Sequence, residues 1–281
     1  MRRKLDFEDF SFKFIFSLGI AAFAVYAMLS LLKLQALDTS LAIGLNATLA
    51  AVLAWMLGRE IEPERKVVAN LSALAATVLF YFALPNGQLL TLEILIVALC
   101  MRMISRPTGF KFTCWDLTII WALLLLSAFL TGSWMLVIFV GIAYAIDWLI
   151  PEGNKIAAIF MIGTILLTLW IMGWKGVESW HVEANLVLWL AVALLVIAYI
   201  ASIFIGMQRV RAKADRTYVT LDWKRVFEAR IWLVWTSIVL SLNIKLQGIN
   251  GFWILWLVMA VFVFYKLVGF LTRLRHSSKH K

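Results

Sequence analysis

The placement of lysine and arginine constrains this chain more than any other feature. Cut at its polar breaks, the sequence falls into about ten apolar stretches. The connections between them alternate: basic residues crowd every second one, while the others hold only Lys33, Lys175 and Lys245. Basic groups near a span resist passage across the bilayer and collect on the cytoplasmic side. The alternation therefore predicts an all-α, polytopic integral membrane protein of about ten transmembrane helices. Both termini are expected to be cytoplasmic, and the plasma (inner) membrane is the expected location.

Composition agrees, since 63% of the 281 residues are apolar and 15% are charged, too apolar a balance for a chain dissolved in water. A span takes about 20 residues to cross roughly 30 Å of hydrocarbon, so ten of them leave one membrane domain over residues 1–281. The formal net charge of +10 would suggest nucleic acid in a soluble protein. Here most of the excess flanks the predicted spans, so the expected partner is a bilayer with anionic headgroups and not nucleic acid. Arg2, Arg3 and Lys4 precede an apolar run containing Ala22-Phe23-Ala24, as in a cleaved leader. That run continues to Leu32, which favours an uncleaved first anchor. Cys100 and Cys114 lie near the inner side, where reducing conditions disfavour a disulfide, and neither has ligand spacing. No cofactor or metal is expected.

Hydropathy and breakers place the helices at about 14–32, 41–57, 67–84, 89–101, 115–130, 134–150, 156–174, 185–207, 231–243 and 251–272. The fourth and ninth are only about 20 Å long. Each is kept as a span because dropping it would move the later basic connections to the outer face. GREIEPERK at 58–66 reads as a solvated inner loop. Residues 208–230 carry the strongest inside signal, and Val219, Trp223, Val226 and Phe227 recur at helical spacing. This predicts a basic amphipathic helix on the inner leaflet, with Arg209, Arg211, Lys213, Arg216, Lys224 and Arg225 as candidate contacts to lipid headgroups.

An offset of 115 residues lays Trp55 and Gly58 on Trp170 and Gly173, and VVANL at 67–71 on VEANL at 182–186. Halves 1–132 and 133–281, with five helices each, would lie in the membrane with opposite orientation, the plan of many secondary transporters. Ten short helices with both ends inside resemble, in architecture, the drug/metabolite transporter superfamily. The resemblance covers the helix count and the repeat, implies carriage of a small molecule, and assigns no site residue.

Ionisable groups at membrane depth are costly and mark functional hypotheses. Glu93, in the short fourth helix, is the candidate for proton coupling or cation binding, set against a hydrated place near the outer interface. Asp147 and Lys266 lie at comparable depths and could pair, although Lys266 can equally extend to the inner interface. Asp116 opens a helix, where the dipole favours a carboxylate. Asn46, Asn70 and Asn185 suit hydrogen bonds between helices, with Asn46 also a candidate for a substrate path. Ala47, Ala50, Ala51 and Ala54, like Ala69 and Ala73, form faces that allow close helix approach. Most of the 14 tryptophans fall near helix ends as an interfacial belt, while Trp121 and Trp189 are deeper and suit core packing. His181, between Glu178 and Glu183, reads as part of a solvated outer loop.

Three functions fit this pattern. The first is a small secondary transporter or permease, with cargo at the midplane and Glu93 as the coupling residue. The second is a non-catalytic membrane subunit or scaffold that holds a membrane-protein partner through residues 208–230. The third is a membrane enzyme acting on lipid-linked substrates, which needs acids and bases clustered at one interface. The chain has no phosphate-binding loop, metalloprotease helix or nucleophile elbow, so an enzyme is the least favoured of the three.

Overall fold

A computed structural model of the chain describes residues 10–83, 90–107, 109–150, 152–175, 186–204, 220–242 and 251–278. Within these, the protein is all helical: α1 (Phe10–Leu32), α2 (Leu37–Ile61), α3 (Lys66–Ala83), α4 (Thr91–Ser105), α5 (Cys114–Thr131), α6 (Trp134–Leu149), α7 (Ala157–Lys175), α8 (Leu186–Phe204), α9 (Trp223–Ser241) and α10 (Trp253–Ser278). Six of them, α1, α2, α5, α7, α8 and α10, are long and apolar enough to cross a membrane. Their outward faces are apolar as well. On α8, Val187, Leu190, Leu194 and Ile197 form an exposed stripe at helical spacing, which water would not tolerate and hydrocarbon does. The chain is a membrane-embedded helical protein.

The centre of the bundle is built on small side chains and on one short helix. Ala47, Ala50, Ala51 and Ala54 of α2 are fully buried, as their spacing predicts. At Gly58, a Cβ would lie 2.8 Å from the Ala69 Cα of α3, so only glycine lets the two backbones cross this closely. Ser11 of α1 ties these helices together, donating 2.7 Å to Asn70 Oδ1 and accepting 3.0 Å from Trp55 Nε1. Helix α4 is buried along most of its length, packed among α2, α5, α6 and α9. One contiguous apolar core runs through the bundle from α1 to α10.

Three element boundaries differ from the sequence reading. Helix α2 continues through Gly58-Arg59-Glu60-Ile61, and Glu60 and Glu62 are buried rather than part of a solvated loop. Helix α4 runs from Thr91 to Ser105, so Glu93 lies in its first turn and Arg102 in its last. Helix α9 begins at Trp223, capped by Asp222, whose carboxylate accepts from the Lys224 amide at 2.9 Å. Residues 223–230 are therefore the first two turns of a helix about 28 Å long, which explains why 231–243 looked too short to span. Of the residues that carry the predicted periodicity, Trp223, Val226 and Phe227 lie on this core helix, and Val219 lies outside the described residues.

The residues matched at the offset of 115 take unlike places. Gly58 sits in a tight helix crossing, whereas a Cβ on Gly173 would meet nothing within 4 Å. Trp55 bonds Ser11 within the bundle, while Trp170 is exposed and stacks on Trp174. Helix α2 packs against α1, α3, α4, α9 and α10, but α7 chiefly against α5 and α6. Of the 182–186 match, only Leu186 lies within the described residues, and Asn185 lies outside them.

Candidate functional site

Basic connections far apart in sequence meet at one end of the bundle. Arg65, before α3, donates 2.6 Å to the Tyr265 hydroxyl of α10. Lys111, before α5, donates 3.2 Å to the Gly153 carbonyl between α6 and α7, and Asn154 Nδ2 donates 2.8 Å to the Phe112 carbonyl. At the start of α9, Arg225 Nη1 and Arg230 Nε reach the carbonyls of Ile104 and Ile61 at 3.4 and 2.8 Å. The contacts thus gather the segments that the charge pattern assigns to a single side.

Within this end, three buried carboxylates hold five cations. Asp147 of α6 is fully buried, and its Oδ1 accepts from Arg106 Nη2 at 2.5 Å, Arg106 Nε at 3.0 Å and Arg225 Nη1 at 3.1 Å. Glu62, just past α2, pairs with Lys266 Nζ at 2.7 Å and with Arg230 Nη2 at 3.5 Å. Glu60 accepts 2.9 Å from Ser105 Oγ and lies 3.9 Å from Arg102 Nη1. The Phe262 ring sits beneath both Arg230 and Lys266, with its centroid 5.1 and 5.2 Å from their charged atoms, close enough for cation–π attraction. Helices α2, α4, α6, α9 and α10 are joined in one ionic layer. Two of its buried atoms, Arg102 Nη2 and Asp147 Oδ2, have no hydrogen-bond partner.

The backbone around this layer is unusual in ways that position the charges. Arg106 caps α4 in the left-handed region at φ 47, and Glu152 follows α6 at φ 61. A non-glycine residue held there costs on the order of 1–2 kcal/mol. The two strained residues bind each other, since Arg106 Nη1 donates 3.0 Å to the Glu152 carbonyl. At Gly153 a Cβ would run into the Trp148 carbonyl, so the turn closes only with glycine. Asn154 then locks it: its amide donates 3.0 Å to the Asp147 carbonyl, and its Oδ1 accepts from the Ile156 amide at 3.2 Å.

Burying ions is expensive, and buried ion pairs commonly add little net stability over apolar packing of the same volume. The apolar core already joins these helices. Fold stability alone therefore leaves the layer unexplained. Ion pairs, unlike interdigitated apolar side chains, can also be exchanged for other ions or water without opening a void.

Of the predicted residues, Asp147 and Lys266 both lie in the layer but do not pair. Asp147 holds Arg106 and Arg225, while Lys266, only 24% exposed, pairs with Glu62 instead of extending to the interface. Arg225 is buried against Asp147, which corrects its assignment to lipid headgroups. Lys224 is exposed at the same end, and Arg209, Arg211, Lys213 and Arg216 lie outside the described residues. Glu93 is at the other end of α4, buried, with Ser127 Oγ donating 2.8 Å to it. Its place in the first turn also sets it in the favourable field of the helix dipole. Asn46 is half-buried on α2, about 21 Å along the helix from Glu60, and takes no part in the layer. Asp116 forms a capping box with Thr113, the structural role its position suggests. Trp121 and Trp189 pack against the core, and His181 lies outside the described residues.

Sequence reasoning missed Glu60, Glu62, Arg102, Arg106 and Arg230 as a unit. A signal was present: acids at 60 and 62 in one inner connection, and arginines at 102 and 106 in the next. Cys100 is buried and Cys114 exposed, both as free thiols. Among the described residues, no group of three histidines, cysteines or carboxylates is placed to hold a metal. No family model, curated protein or solved structure matches this chain.

Proposed function

We propose that the chain is a small secondary permease whose basic end is closed by this ion-pair layer, which acts as an exchangeable gate. The single observation behind the reading is that, among the described residues, eight charged side chains from five helices, most of them buried, meet in one ion-paired layer at one end of the bundle, while buried Glu93 lies apart at the other end of α4. Charges inside membrane proteins mark pathways and switching elements, and helices held by ion pairs can separate and re-form at modest cost. In this reading the basic end faces the cytoplasm at the plasma membrane, a small molecule passes between the helices, and Glu93 serves as the coupling acid near the opposite end. The scaffold reading is less favoured, because residues 223–230 are drawn into the core instead of forming a free docking helix. The enzyme reading gains a cluster of acids and bases, but each carboxylate in it is engaged with cations.

The test is a distance measurement across the gate. Spin labels go on Phe110→Cys, in the α4–α5 connection, and on Lys224→Cys, at the start of α9, both exposed. The background is Cys100→Ser/Cys114→Ser, with the protein in lipid nanodiscs. A gate gives two distance populations separated by several ångströms, on the scale of helix displacements in such switches, with the longer one enriched by Glu62→Gln. A single narrow population, unmoved by Glu62→Gln, overturns the permease reading.

A further inference from the structure

The composition of the layer specifies what kind of anion it can take. Five cations, Arg102, Arg106, Arg225, Arg230 and Lys266, face three carboxylates, Glu60, Glu62 and Asp147, leaving an excess of two positive charges in a largely buried setting. Four of the five cations are arginines, whose planar forks match the oxygens of phosphate better than the point charge of lysine does. Asp147 already shows how such an oxygen is held, with two guanidiniums converging on Oδ1. One turn back along α4, Arg102 has only a 3.9 Å contact to Glu60, and its buried Nη2 has no hydrogen-bond partner. It is therefore the least committed donor in the layer. Around it, exposed Arg65, Lys66, Lys111, Lys155 and Lys224 outnumber exposed Glu64, Glu152 and Asp222, a balance that concentrates anions at the entrance.

We infer that the layer binds a phosphate monoester dianion, with Arg102, Arg106 and Arg225 as its principal donors and the carboxylate of Asp147 holding the forks of Arg106 and Arg225 when no phosphate is bound. The inference rests on the permease reading for access, because separation of the gate is what exposes these arginines. A phosphate monoester carries about 1.5–2 negative charges near neutral pH, which matches the excess of the layer; a monocarboxylate or chloride does not. The same chemistry is presented by a soluble organic phosphate and by the headgroup of phosphatidic acid.

Purified full-length protein in neutral detergent is titrated with glycerol 3-phosphate against sodium chloride at equal ionic strength, by calorimetry and by thermal unfolding. In parallel, unfolding is compared in nanodiscs of phosphatidylcholine with and without phosphatidic acid. Saturable stabilisation by glycerol 3-phosphate assigns a soluble ligand, and stabilisation by phosphatidic acid alone assigns a lipid headgroup. Arg102→Gln is expected to weaken binding by about tenfold or more and Arg102→Lys by less, while Lys33→Gln at the opposite end leaves it unchanged. Each variant is first confirmed to be monodisperse by size exclusion. Stabilisation by neither phosphate beyond the chloride control, or wild-type affinity in Arg102→Gln, overturns the inference. Phosphate binding together with a single distance population would leave the site standing and remove the permease reading.

Discussion

Replacing Asp147 with asparagine preserves the size of the side chain and removes its charge. In the wild type, one fully buried oxygen accepts from two guanidiniums, with its closest contacts at 2.5 Å to Arg106 and 3.1 Å to Arg225. Removing one partner of a buried ion pair typically costs about 3–5 kcal/mol, because the remaining charge is left uncompensated. Two features place Asp147→Asn toward the lower part of that range: Arg106 keeps the Glu152 carbonyl at 3.0 Å, and Arg225 keeps the Ile104 carbonyl at 3.4 Å. The expected loss is about 3 kcal/mol, roughly a hundredfold in the folding equilibrium. Equilibrium unfolding in mixed detergent micelles, followed by tryptophan fluorescence, measures it. The second arm is a cycle with Arg225→Gln. With Asp147 neutral, Arg225 is a stranded charge, so its removal should cost at least about 1 kcal/mol less than in the wild type. A loss below about 0.5 kcal/mol for Asp147→Asn, or a cycle additive within about 0.5 kcal/mol, would refute the ionic layer as described.

Gly58→Ala should destabilise the protein by about 1–3 kcal/mol through overpacking against α3. Gly173→Ala, with open space around it, should be neutral or stabilising by about 0.4–1 kcal/mol; the same unfolding assay separates them, and equal effects would support the equivalence suggested by the offset of 115. Thr113→Ala removes the side chain that accepts from the Asp116 amide and should cost about 0.5–2 kcal/mol, read as a lower thermal midpoint. Glu93→Gln keeps an acceptor for Ser127 but loses the charge at the start of α4, and should cost about 1 kcal/mol by the same unfolding measurement.

Much of the architecture was legible in the sequence because lipid imposes a one-dimensional rule. Basic residues in alternate connections must collect on one side, and the contacts among Arg65, Arg106, Lys111, Arg225 and Arg230 bring those connections together. Small residues such as Ala47, Ala50 and Ala54 were likewise readable, since close helix approach is a property of size. The pairing itself was not. A charged turn such as GREIEPERK looks the same whether its acids face water or arginines from other helices, so Glu60 and Glu62 were read as solvated. Arg225 was misplaced for a related reason: periodicity correctly found a helix, but whether its basic face meets lipid or Asp147 depends on a residue 78 positions away. Gly58 and Gly173 show the same limit, each following a tryptophan three residues before it yet differing in neighbours.

The native cysteines offer the most direct test of a switchable layer. With Cys114→Ser, Cys100 is the sole remaining thiol, fully buried on α4 two residues before Arg102. It reacts with a maleimide added from the basic side only when that end opens. A gate predicts slow, complete labelling of Cys100 in nanodiscs, accelerated severalfold by Glu62→Gln or Asp147→Asn. Failure of all three proteins to label while folded, or labelling at one common rate, would show a layer that does not open and would contradict the gate.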